Sequence, residues 1–132
     1  MAKGMPEDIR TFRDLIAWQK AMALARCVYR LSRTFPDDEK FGLVSQMRRA
    51  AVSVPANIAE GYGRGRRLEY IRHLEIARGS LFELQTHVEI ARHEDWMTGD
   101  GWDEFDRSAL EVDRVLSGLL RSLKRSKGPA KA

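Results

Sequence analysis

Residues 45–67, SQMRRAAVSVPANIAEGYGRGRR, decide how the chain folds. Val44, Met47, Ala51, Val54 and Ile58 recur at steps of three and four, the period of a helix with one apolar face. Pro55 interrupts that pattern. It lacks an N–H and crowds the carbonyl of residue 51, so it should kink the helix, at a cost of about 3 kcal/mol if unrelieved. The neighbours Ala50, Ala51, Ser53, Ala56 and Ala59 are small enough to let another backbone come close and offset that cost through packing. Read this way, the stretch is one long helix that ends at GYGRG.

Three further segments carry the same period. Leu15, Trp18, Met22, Ala25 and Tyr29 form one seam of a first helix, and Ala21, Leu24, Val28 and Leu31 form a second. Leu74, Ala77, Leu81, Leu84, Val88 and Ala91 mark a third helix, and Ala109, Val112, Leu116, Leu119 and Leu123 a fourth. No segment alternates in the manner of a strand. TFPDDEK closes the first helix and offers Asp37 or Asp38 as N-cap of the second, while MTGDG separates the third from the fourth. Short connections between long helices give an all-α, antiparallel up-down-up-down four-helix bundle. A single domain over 1–125 is expected, with 126–132 a disordered basic tail. The double seam of the first helix is wider than one core requires, which predicts an apolar face turned to another subunit.

Composition narrows the function. The 132 residues are 43% hydrophobic and 32% charged, which suits one helical domain with a real core. A net charge of +4 permits a nucleic-acid partner without demanding one. The N-terminus has no apolar signal core, and no apolar run approaches the ~18 residues of a membrane span, so a cytoplasmic protein is expected. Cys27 is the single cysteine and excludes an internal disulfide; among apolar residues it reads as a small buried hydrophobe.

The charges segregate along the chain. Residues 94–106, EDWMTGDGWDEFD, hold six acids and no base. Arg64, Arg66, Arg67 and Arg72 cluster where the third helix starts, and Arg121, Lys124 and Arg125 lie at the end of the fourth, which an up-down bundle brings to the same end. Acids at helix starts and bases at helix ends complement the helix dipole. Arg66 and Arg67 oppose it, and a phosphate backbone is the natural compensation. These seven cations are the candidate nucleic-acid-binding residues. A second constellation, Gln46, Arg49, Ser53, Asn57 and Glu60, forms a polar stripe on the second helix, with Ser80 and Glu83 as partners on the third. Two readings stand: a hydrogen-bonded network that sets helix register, or a polar site at an interface or ligand pocket.

FRDLIAWQKAMAL (12–24), VYRLSRTFPDDEKFGLVSQMRRAAVSVPANIAEGYGR (28–64) and YIRHLEIARGSLFELQTHVEIA (70–91) resemble the four-helix-bundle proteins encoded in intervening sequences of bacterial 23S ribosomal RNA genes. The resemblance spans about residues 12–120. It implies a four-helix bundle, a ring-like homopentamer and a link to RNA. The sequence is also similar to the accessory proteins of diversity-generating retroelements, which implies RNA or DNA and a reverse transcriptase as partners. It departs from the family at GRGRRLEY, which has arginine where a Ser or Thr usually caps the third helix. In a ring of parallel protomers the basic end would repeat around one mouth.

Other chemistry is weaker. Glu83 with His87 and Glu89 with His93 are helical i,i+4 pairs that do not converge on one metal ion. GYGRGRR lacks the Gly-Lys-Ser/Thr and preceding strand of a phosphate loop. Trp18 fits the core, and Trp96 and Trp102 sit among acids, where nucleic acid is unwelcome. A non-enzymatic protein with no metal or cofactor is expected, with a pure protein-interaction module as the alternative.

Overall fold

The structure is a computed structural model and describes residues 9–125; the expected tail at 126–132 lies outside the described residues. Four helices make up the fold: α1 Ile16–Ser32, α2 Leu43–Gly63, α3 Arg67–His93 and α4 Gly99–Arg125. A 3₁₀ turn at Phe12–Asp14 leads into α1 and is closed by a reciprocal cap, in which Arg13 N–H donates to Thr11 Oγ1 and Thr11 N–H to Asp14 Oδ2. No strand occurs among the described residues.

Paired contacts fix the direction of each neighbour. Along α2 and α3, Ser53 meets Ser80 and Gly61 meets His73. Along α3 and α4, Arg78 meets Asp113 and Arg67 meets Leu123. Along α1 and α4, Lys20 meets Glu111 and Arg30 meets Glu104. In each pair one number rises as the other falls, so the helices run antiparallel. Each helix flanks two others, and the diagonal pairs scarcely touch. Leu24, Met47, Ile58, Leu74, Leu81, Leu84, Phe105 and Leu116 fill the centre, each less than 2% exposed. Removing such side chains from water is the main stabilising term.

Several expectations need correction. Neither Asp37 nor Asp38 caps α2: Asp37–Glu39 forms its own 3₁₀ turn, and α2 starts after Gly42. Glu39 supplies an acceptor instead, its Oε1 receiving Leu43 N–H at 3.3 Å. Around Pro55 the expected single long helix is present: Pro55 is buried inside α2, which continues through it to Gly63. On α1 the second seam is buried at Ala21, Leu24 and Val28, whereas the first is only partly covered: Leu15, Trp18 and Met22 are half-buried and Tyr29 is 40% exposed. A further exposed apolar stripe lies on α3, where Ile76, Phe82 and Ile90 are 42%, 44% and 46% exposed.

Glycines mark where helices meet and where they leave room. A Cβ on Gly61 would lie 2.6 Å from His73 Cβ and 3.3 Å from the Tyr70 carbonyl, so α2 and α3 cross here in direct backbone contact. Gly79 in α3 and Gly118 in α4 differ. A Cβ meets nothing within 4 Å at Gly79, and only Arg121 Nη2 at 3.9 Å at Gly118. Each mid-helix glycine costs roughly 1 kcal/mol relative to alanine, and the fold of the protomer recovers none of it at these two positions.

Candidate functional site

One end of the bundle gathers the seven cations, because α2 finishes, α3 begins and α4 finishes there. The α2–α3 connection is only Arg64–Arg66, and it turns on Gly65, whose φ of 74° is a left-handed value that glycine adopts without steric cost. Arg66 is the extended N-cap of α3 and gives no side-chain cap to the helix.

The seven do not share one role. Arg64 binds Glu60 at 2.7 Å and approaches Glu69 at 3.9 Å, and Arg66 reaches Glu69 at 3.3 Å. The hydrogen bond from Arg64 holds the Glu60 carboxyl below the usual carboxylate range. Lys124 bridges α4 to α3 through Glu75 at 2.8 Å. Such exposed pairs contribute little to stability. Arg67 is half-buried, and its Nη1 donates to the Leu123 carbonyl at 3.3 Å. It satisfies a carbonyl in the last turn of α4, where a positive charge also suits the helix dipole. The two cations expected to oppose the α3 dipole are thus accounted for inside the protomer. Arg72, Arg121 and Arg125 are exposed and make no ion pair among the described residues. They are the cations most available to an external anion.

The opposite end is less one-sided than its linear sequence. Arg30 of α1 forms a two-pronged pair with Glu104, holding that carboxyl below its ordinary range. Arg92 stacks over Trp102 at 4.2 Å from the ring centre, and Trp96 packs against Phe35. Arg26, Arg30 and Arg33 line a groove of about 810 Å³ across α1, a row that the apolar seams of that helix concealed in the sequence.

The polar stripe divides in two. Asn57 Nδ2 donates to the Ser53 carbonyl at 2.9 Å and to Ser53 Oγ at 3.0 Å, and Ser53 Oγ lies 2.8 Å from Ser80 Oγ. Either hydroxyl of the Ser53–Ser80 pair can be the donor, because Ser53 Oγ can accept a second hydrogen bond beside that from Asn57. Glu60 stands outside this cluster: it is exposed, bound to Arg64, and 3.5 Å from Nε2 of the buried His73. Gln46 and Arg49 are exposed without side-chain hydrogen bonds among the described residues, and Glu83 faces His87 at 3.9 Å. Helical spacing places these residues on one side of α2 and α3, but only Ser53, Asn57 and Ser80 join in one hydrogen-bonded cluster. Asn57→Ala should therefore destabilise by about 1–3 kcal/mol through the amide donor it removes from Ser53. An unchanged urea midpoint would show that water replaces it.

Elsewhere the chemistry is sparse. Burial pushes the Cys27 thiol up. Glu89 and His93 lie 3.4 Å apart, and no group of three or more possible metal ligands occurs among the described residues. Trp18 packs edge-on to Phe12 against the core. No helix among the described residues is long and apolar enough to cross a membrane.

The chain matches the family described as 23S rRNA-intervening sequence protein over residues 13–118. No curated protein matches it. Among solved structures it is similar to a Bacteroides thetaiotaomicron protein described as of unknown function, from the S23 ribosomal protein family. The TM-score is 0.74 at 20% identity, over 80% of this chain and 96% of that one, a likeness of fold.

Proposed function

The chain belongs to the 23S rRNA-intervening sequence protein family, and from that premise we propose that it is a non-enzymatic, self-assembling bundle that presents its basic end to RNA. The observation that carries this reading is the composition of that end. Of its seven cations, Arg64, Arg66 and Lys124 pair with Glu60, Glu69 and Glu75, whereas Arg72, Arg121 and Arg125 keep their charge unpaired among the described residues. In a ring of about five parallel protomers, as the family resemblance implies, these arginines repeat around one mouth and the field adds up. The stripe Ile76, Phe82 and Ile90 around Gly79 supports the assembly half. It is an apolar face with a notch where another helix could approach closely, and nothing in the protomer explains the notch. The similarity to retroelement accessory proteins extends the proposal to a reverse transcriptase as a further partner, and the cytoplasm as the site of action.

The test measures mass in solution and retention of a single-stranded RNA as salt is raised. Affinity is expected to fall with log salt by a slope of about 0.7 per phosphate contact. Arg72→Glu with Arg125→Glu should weaken binding and flatten that slope while leaving the melting temperature nearly unchanged, because neither residue has an ion-pair partner among the described residues. Wild-type protein that fails to retain RNA at low salt would leave only a protein-interaction module, and a monomer at micromolar concentration would remove self-assembly.

A further inference from the structure

A cleft of about 610 Å³ opens at the basic end, between the chain entering α1, Tyr62 at the end of α2, Tyr70 at the start of α3, and α4 from Arg114 to Arg121. That volume lies within the usual range of small-molecule sites, about 300–1,000 Å³. Three observations bear on its occupant. The first is Gly118, which lines the cleft in the middle of α4 although a side chain would meet only the flexible end of Arg121. Alanine there would fit and would favour the helix, so the missing side chain serves the open space and not the fold. The second is the aromatic wall. Tyr62 and Tyr70 meet edge to face with ring centres 6.0 Å apart, and the Tyr70 hydroxyl is buried without a hydrogen-bond partner among the described residues. Unpaired buried polar groups are uncommon and call for a partner. The third is charge at the rim. Arg114 is held by Glu111 at 2.9 Å, but Arg121 makes no ion pair among the described residues. Asp14, the acidic lining residue, is fixed by the N–H groups of Arg10 and Thr11 at 2.8 and 3.1 Å, which also hold its carboxyl below the usual range.

We propose that this cleft receives one unpaired base of a single-stranded RNA, flat against Tyr62 and the aliphatic wall of Leu15, Val115 and Leu119, with the adjoining phosphate on Arg121. The match is one of shape and charge: an apolar slot with an aromatic side takes the face of any base, and the unpaired guanidinium takes the anion. Asp14 can only accept hydrogen bonds, and every base has an N–H on its Watson–Crick edge to offer it. This assignment rests on the RNA reading above and adds to it where the strand is gripped. A strand held only by phosphates would have no use for a cleft floored by glycine.

An eight-nucleotide single-stranded RNA carrying one 2-aminopurine, titrated at low salt, tests it. Wild-type protein should change the fluorescence of the reporter on binding. Gly118→Leu should abolish that change and weaken binding roughly tenfold, the loss of about one stacked base, with a melting temperature no lower than wild type. Tyr62→Ala should lose the fluorescence change as well, and it tests the wall without filling the floor. Arg121→Gln, at an exposed residue without an ion-pair partner among the described residues, should reduce the salt slope by about 0.7. A folded Gly118→Leu protein that binds and reports as wild type overturns the cleft assignment and leaves the RNA reading intact. If wild type retains no RNA, both fall together. If Gly118→Leu changes only the oligomeric mass, the cleft is a contact between copies and the base assignment is overturned.

Discussion

Gly61→Ala is expected to lower the stability of the protein by about 2–3 kcal/mol, although alanine is the better helix former by roughly 1 kcal/mol. The new methyl would arrive 2.6 Å from His73 Cβ and 3.3 Å from the Tyr70 carbonyl. Neither is the far end of a flexible side chain, so the helices must separate to admit it. Separation at this crossing would also strain the Ser53–Asn57–Ser80 cluster two turns away, where the relevant contact is 2.8 Å long. Urea unfolding of the purified variant measures the loss. A midpoint at or above that of wild type would mean that α2 and α3 do not meet backbone to backbone.

Phe105→Ala should be more damaging still, at about 3–5 kcal/mol, since it deletes a whole ring from a site that cannot collapse around the gap. Phe105 is 1% exposed and lies on α4 with Trp102 6.3 Å away between ring centres. Thermal unfolding followed by circular dichroism reads the effect directly. Phe105→Leu, which keeps much of the volume, should recover more than half of it. Equal losses for the two variants would point to a specific aromatic contact and not to volume.

The four helices were legible because their apolar residues repeat over many turns, and a pattern of that length has one geometric solution. Leu74 through Ala91 is the plainest case: each of its six marked residues is buried. Short-range features were read less well. Asp37 and Asp38 look like caps in isolation, but a 3₁₀ turn of their own separates them from α2. The basic end was visible as a run of arginines, whereas the division of labour within it was not. Whether Arg67 meets a phosphate or the carbonyl of Leu123 depends on a residue 56 positions away. Glu60 left the polar stripe for the same kind of reason: helical spacing puts it beside Asn57, but the closeness of His73 and Arg64 decides its partners. The cleft has almost no sequence signature, because its walls come from all four helices. Its one visible trace was a glycine in the middle of the strongly amphipathic α4.

The three-residue connection between α2 and α3 has a kinetic consequence. Their contacts join residues close in sequence, from Gly61 with His73 to Ser53 with Ser80, so little loop entropy opposes them. That hairpin is therefore expected to assemble before α1 and α4 dock against it, with Gly61 inside the nucleus. The loss from Gly61→Ala should then appear as slower refolding, while unfolding keeps nearly its wild-type rate, and Phe105→Ala should act chiefly by hastening unfolding. The glycine that lets two helices touch would in that case set how fast the chain finds its fold.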